Sequence, residues 1–136
     1  MIHDLASDIK IANTILPQAF TDTDTATGST IDITGFRSVV LAVELGALSA
    51  DGITVTLQGQ DTSGSWEDIA EADLVSDSAL SDIETIAASD DETVHKFGLA
   101  TADYQAVRAK VDADTDSGAG DVAVSVIADN SYNEPV

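Results

Sequence analysis

An all-β antiparallel sandwich, jelly-roll or Ig-like, is the fold class this sequence predicts, with a closed barrel as its nearest rival. Three observations predict it. Apolar and polar residues alternate with a period of two through most of the chain after residue 30. The alternating runs recur at roughly 8–12-residue intervals and are separated by turns rich in Gly, Asp and Ser. No segment carries a strong helical stripe.

The first twenty residues stand apart. Ile2, Leu5 and Ile9 are spaced by three and four, with Ala6 and Ala12 nearby, which predicts a short helix or a docked arm over residues 1–20. Pro17 then forces an extended or turning path. Residues 21–30, TDTDTATGST, read as a polar connector, and residues 31–136 as the sandwich. STIDIT alternates, and GFRSVVLAVELG sends Val39, Leu41, Val43 and Leu45 to one face and Ser38, Val40, Ala42 and Glu44 to the other. Asp51-Gly52 in SADG is a hairpin signal leading into ITVTLQGQ, with Ile53, Val55 and Leu57 inward. VTLQGQDTSGSWEDI then breaks at an Asp-Thr-Ser-Gly-Ser turn and resumes on a short strand carrying Trp66 and Ile69. Residues 70–82 are rich in Ala, Ser and Asp and predict a long loop with a helical turn. Three further strands follow: TVHKFGL, YQAVRAKVD and DVAVSVIAD. Val107, Ala109 and Val111 share a face in the second, and Val122, Val124 and Val126 in the third.

A length of 136 residues suits one domain, which at that size buries about two-thirds of its unfolded surface. With 43% hydrophobic residues but only 4% aromatic, its core must be built mainly from Val, Ile, Leu and Ala. Cysteine is absent, which excludes disulfides and thiolate metal sites. Met1-Ile2-His3-Asp4 lacks the basic start and apolar run of a secretory signal, and no run approaches the roughly 18 apolar residues of a membrane span. The expectation is a soluble protein made in the cytoplasm. Twenty-five acidic residues against five basic ones give a net charge of −20. Such a surface repels phosphate backbones and anionic lipid, so nucleic-acid and membrane partners are not expected. It also repels itself unless salt screens it, which points to a saline setting.

Candidate chemistry is sparse. In DADTDSGAGD, Asp112, Asp114 and Asp116 offer carboxylates at alternate positions and Asp121 closes the loop, which makes calcium the one metal to consider. An EF-hand would need Gly and Glu where Ser117 and Ala123 stand, so a solvated hairpin is the expected role. His3 and His95 have no neighbouring ligand at metal spacing. Neither a nucleophile elbow nor a phosphate-binding glycine loop is present, so no enzymatic activity is expected. Trp66 after its turn is the one residue placed to stack on a sugar, with a hairpin residue covering the core edge as the plainer role.

Taken in order, SDIKIANTILPQAF, GSTIDITGFRSVVLAVELGAL, VTLQGQDTSGSWEDIAEADL, YQAVRAKVDADT and VIADNSYNEPV resemble the head decoration, or cement, proteins of tailed phages. The likeness runs through most of the chain and rests on motif order. It implies a β-sandwich bound to the outside of an icosahedral capsid, often as a trimer, with the major capsid protein as partner and the outer surface of the virion as location. It also implies subunit contacts, for which Leu5, Ile9, Ile11, Ile15 and Leu16 are the candidate apolar anchors of the leading segment. Arg37, Arg108 and Lys110 are candidates to pair with acids across an interface. A virion-displayed module for carbohydrate or host surface, built around Trp66, is the alternative.

Overall fold

Alternating runs become paired strands in a computed structural model, which describes residues 9–21, 24–49, 52–75, 78–100, 103–113 and 119–129. Expectations placed on Ile2, His3, Leu5, Asp51, Asp114, Asp116 and Ser117 lie outside the described residues. The first sheet, sheet A, runs in the order β1 (Ile9–Thr21), β10 (Ala119–Asp129), β4 (Ser38–Leu48), β8 (Val94–Leu99) and β7 (Leu74–Val75). The second, sheet B, runs β2 (Thr25–Thr27), β9 (Ala106–Ala113), β5 (Ile53–Gln60) and β6 (Trp66–Asp68), with β3 (Ile31–Asp32) also on β9. Every pairing is antiparallel, and the fold is an all-β sandwich.

Period two puts one side chain in every pair between the sheets. Leu41, Val43, Phe97, Val122, Val124 and Val126 of sheet A are buried there with Val55, Leu57, Val107 and Val111 of sheet B. Burying each such side chain contributes roughly 1.5–3 kcal/mol. One end of the core is closed by α1 (Ser81–Glu84), whose Ile83 is fully buried, and by Ile86, which bridges to Ile53. The described residues of the 70–82 stretch form short helical turns and the two-residue β7 on the way into this plug.

Three local expectations change. From Ile9 onward the leading segment is not a helix: it docks as the long edge strand β1, paired with β10 from Ile9↔Asp129 to Thr21↔Ala119. β-Branched Ile9, Ile11 and Thr14 suit a pleated surface, and Pro17 is tolerated because an edge strand has no outer partner. Within the supposed connector, Thr25–Thr27 pair with β9. Gly52 does not close a hairpin: β4 lies in sheet A and β5 in sheet B, so the chain crosses the sandwich there. The β9–β10 connection is likewise a crossover rather than a solvated hairpin. A turn signal reports that the chain reverses, not which sheet receives it.

The two sheets are stitched along one side chiefly at Thr14, with the Lys10 ammonium also donating to the Asp32 carbonyl of β3 at 3.0 Å. Strands β2 and β3 are pieces of one track beside β9, interrupted at residues 28–30. Thr14 of β1 fills the interruption: its Oγ1 accepts the Ala109 N–H at 3.1 Å and donates to the Ser29 carbonyl at 2.8 Å. Ser29 N–H donates to the Thr14 carbonyl at 2.8 Å, and Gly28 N–H to the Ala109 carbonyl at 2.7 Å. The register shift between Asn13 and Ile15 lets Thr14 and Ile15 both face inward, at 3% and 2% exposure. Only glycine fits at position 28, where a Cβ would lie 2.3 Å from Thr14 Oγ1.

Candidate functional site

The same bulge decides which residues of β1 can touch anything else. Ile9 and Ile11 keep step with Asp129 and Ile127 on the outer side of sheet A, and Ile11 is 69% exposed. Past the bulge the phase shifts, so Ile15 falls into the core at 2% exposure and is no anchor for a neighbour. Leu16 is left outside at 66%. Leu5 lies outside the described residues. Arg37 is exposed in the turn after β3, and its N–H is bonded to the Asp129 carbonyl.

The outer face of sheet B is a polar ladder. Gln58 sits in register with both Asp68 and Arg108. Its amide donates to Asp68 Oδ1 at 2.8 Å and its carbonyl oxygen accepts Arg108 Nε at 2.9 Å. The Arg108 guanidinium lies over the Trp66 ring, 4.0 Å from its centroid, in a cation–π contact. Arg108 is therefore engaged within its own chain rather than held ready for an acid across an interface. One ring face of Trp66 is also taken by this contact. The β5–β6 hairpin is held by Asp61, whose Oδ1 accepts Ser63 N–H at 2.8 Å and Ser65 N–H at 3.0 Å. The Ser63 hydroxyl bond, then the backbone donors, keeps the Asp61 carboxyl below its ordinary range.

The two described acids of the calcium candidate, Asp112 and Asp121, do not converge. Asp112 is exposed on β9, in register with Thr25 and Thr54 on the outside of sheet B. Asp121 is exposed on β10, beside Gly46 of β4 on the outside of sheet A. Their backbones belong to opposite sheets, so outward-pointing side chains diverge; Asp114 and Asp116 are outside the described residues. Among the described residues, no group of three or more His, Cys, Asp or Glu is placed to hold a metal ion. His95 is half-buried, with Thr93 Oγ1 3.5 Å from its Nε2.

At the end of the sandwich away from α1, a hollow of about 350 Å³ is lined by Ile33, Phe36, Arg37, Val39, Leu99 and Tyr104 among others. Burial, followed by a hydrogen bond to Glu67, pushes the Tyr104 hydroxyl up to about 12. The ionisable groups in the lining are thus a guanidinium and a phenol that keeps its proton, neither of which is a base or nucleophile near neutral pH.

The surface that sequence reasoning missed is the outside of sheet A. Register pairs align Ile11, Ile127, Val40, Gly98 and Val75 in one row across all five strands. The next row is Asn13, Ser125, Ala42 and Lys96. Beyond it stand Ala123, Glu44 and Val94, the last 57% exposed. A hollow of about 270 Å³ opens there between Pro17, Glu44, Gly46, Asp121 and Ala123. The signal was present in SVVLAV and VSVIAD, where Val40 and Ile127 are apolar at the outward phase of strands whose inward phase is already apolar.

No protein-family model matches the chain, and no curated protein sequence does. Among solved structures, the fold is similar to that of the SPBc2 prophage-derived protein YomS, with a TM-score of 0.51 and 17% identity over 89% of this chain and 92% of that one. It also overlaps a chain from the infectious bursal disease virus Gx strain, with a TM-score of 0.49 and 10% identity over 93% of this chain but 34% of the other. The first likeness establishes a shared fold; the second is too distant to argue from. Among the described residues, no helix is long and apolar enough to cross a membrane.

Proposed function

We propose that this protein is a structural component of a phage virion, which decorates and stabilises an icosahedral capsid by bridging major capsid subunits on the outer surface. The observation that carries the reading is a fold shared with a prophage-derived protein over nearly the whole length of both chains. The order of its motifs supports the same reading. So does the surface, whose net charge of −20 would keep it away from packaged nucleic acid.

The mechanism is binding without turnover. A protein that binds only the closed shell stabilises it by mass action. Repetition on a lattice converts weak contacts into collective strength through effective concentration. The resemblance favours a trimer around a threefold or quasi-threefold site, made in the host cytoplasm and added to the head. Cryo-EM of purified virions is expected to show regular exterior density that fits the sandwich. Particles from a deletion strain are expected to lose resistance to heat and osmotic shock. Deletion particles as resistant as the parent, or the protein found only in the infected-cell lysate, would overturn the proposal.

A further inference from the structure

A chain of net charge −20 has acids almost everywhere, yet the two central rows of the outer A face contain none. Ile11, Ile127, Val40, Gly98 and Val75 form one row and Asn13, Ser125, Ala42 and Lys96 the other. Ile11 and Val75, at the two ends of the first row, are each 69% exposed. The acids of this face stand at its borders. Asp129 pairs with Ile9 and Ser38 on one side, while Glu44 and Asp121 flank the hollow over Gly46 and Ala123 on the other. An apolar row free of acid, beside a low-relief row in which the Ser125 hydroxyl donates to Asn13 Oδ1 and Lys96 is the one charge, with carboxylates kept to the border, has the core-and-rim anatomy of a protein–protein interface.

We infer that the outer A face is a docking surface for a protein that presents apolar side chains bordered by lysine or arginine. The inference rests on the capsid reading above and assigns the shell-facing side of the molecule to sheet A. Charge selects the occupant. A second copy of this chain would bring Glu44 and Asp121 against a surface of the same sign, and like charges brought together cost binding energy. A basic border meets the same carboxylates favourably. The hollow between them, floored by Gly46 and Ala123, leaves room for a long cationic side chain. Sheet B offers no comparable centre, because Gln58, Asp68 and Arg108 already satisfy one another there.

The test is binding of the labelled full-length protein to purified heads from a deletion strain. Ile11→Asp/Val75→Asp places charge in the apolar row, and Glu44→Lys/Asp121→Lys reverses the border. Thr25→Asp/Thr27→Asp adds the same two charges to the outside of sheet B. Thermal melts confirm folding, and Ile11→Thr/Val75→Thr is the milder pair should the aspartates unfold the edge. The A-face variants are expected to bind at least tenfold more weakly than wild type at low salt, and the B-face pair like wild type. The border variant is expected to recover toward wild type near 1 M salt, where the screening length falls to about 3 Å. Wild-type binding matched by both A-face variants would overturn the assignment and leave the capsid reading standing. Failure of wild type to bind heads at all would remove both. An oligomer in solution that the Ile11/Val75 pair dissociates, with head binding unchanged, would make a second copy the occupant and overturn the choice of partner.

Discussion

Thr14→Val tests whether one hydroxyl holds the two sheets together. Valine keeps nearly the shape of threonine, so no cavity opens and the change isolates the hydrogen bonds. Two are lost: the Ala109 N–H, on a residue with no exposed surface, loses its acceptor, and the Ser29 carbonyl loses its donor. Leaving a buried donor unpaired costs about 1–3 kcal/mol, and the second bond contributes about 0.5–1.5 kcal/mol. The sum is roughly 2–4 kcal/mol, a large share of the roughly 5–15 kcal/mol that holds a domain folded. At this chain length each kcal/mol lowers the melting temperature by about 3–5 °C, so a fall of roughly 6–20 °C is expected. Urea unfolding at fixed salt measures it, with an unchanged slope showing that the midpoint alone has moved. Thr14→Ser keeps the hydroxyl and is expected to retain most of the stability. Hydrogen exchange should quicken at Ala109 in the valine variant only. Equal stability of the valine and serine variants would refute the idea that the hydroxyl, rather than side-chain packing, joins the sheets.

Gly59→Ala is expected to destabilise by about 1–3 kcal/mol through overpacking, because its Cβ would lie 2.3 Å from Tyr104 Cδ1; a melt within a degree of wild type would contradict the close approach. Tyr104 favours its protonated form in the fold, since its hydroxyl is raised from 10.0 to about 12. A raised value means that its stabilisation is complete below pH 10 and is lost as pH climbs through about 12. Tyr104→Phe should not show that loss when urea midpoints at the two pH extremes are compared. Added salt is expected to raise the melting temperature of a chain with net charge −20 by screening its self-repulsion. A melting temperature that stays flat between low salt and about 1 M would show that the acids are already spaced widely enough.

Periodicity alone located β4, β5, β8, β9 and β10, and in all but β8 it grouped the residues now buried on one face, from Leu41 and Val43 to Val122, Val124 and Val126. It left β1 between a helix and a docked arm because Ile2, Leu5 and Ile9 fit a helical spacing, while the bulge at Thr14 breaks the alternation that would have marked a strand. The hairpin at Asp61 was legible because its turn chemistry is local: one carboxylate bonds donors two and four residues ahead. The crossovers after β4 and β9 were not, because pairing partners are chosen by the whole sandwich.

What the sequence determined is therefore everything that depends on near neighbours: strand period, inward face, turn chemistry, the small-residue core and the acidic surface. Tertiary structure decided what depends on distant ones. It sent Asp112 and Asp121 to opposite sheets, buried Ile15, laid Arg108 on Trp66, and aligned Ile11, Ile127, Val40 and Val75 across strands far apart in the chain. A side chain's alternation is set by its own backbone, but its row on the sheet is set by the register of every strand beside it.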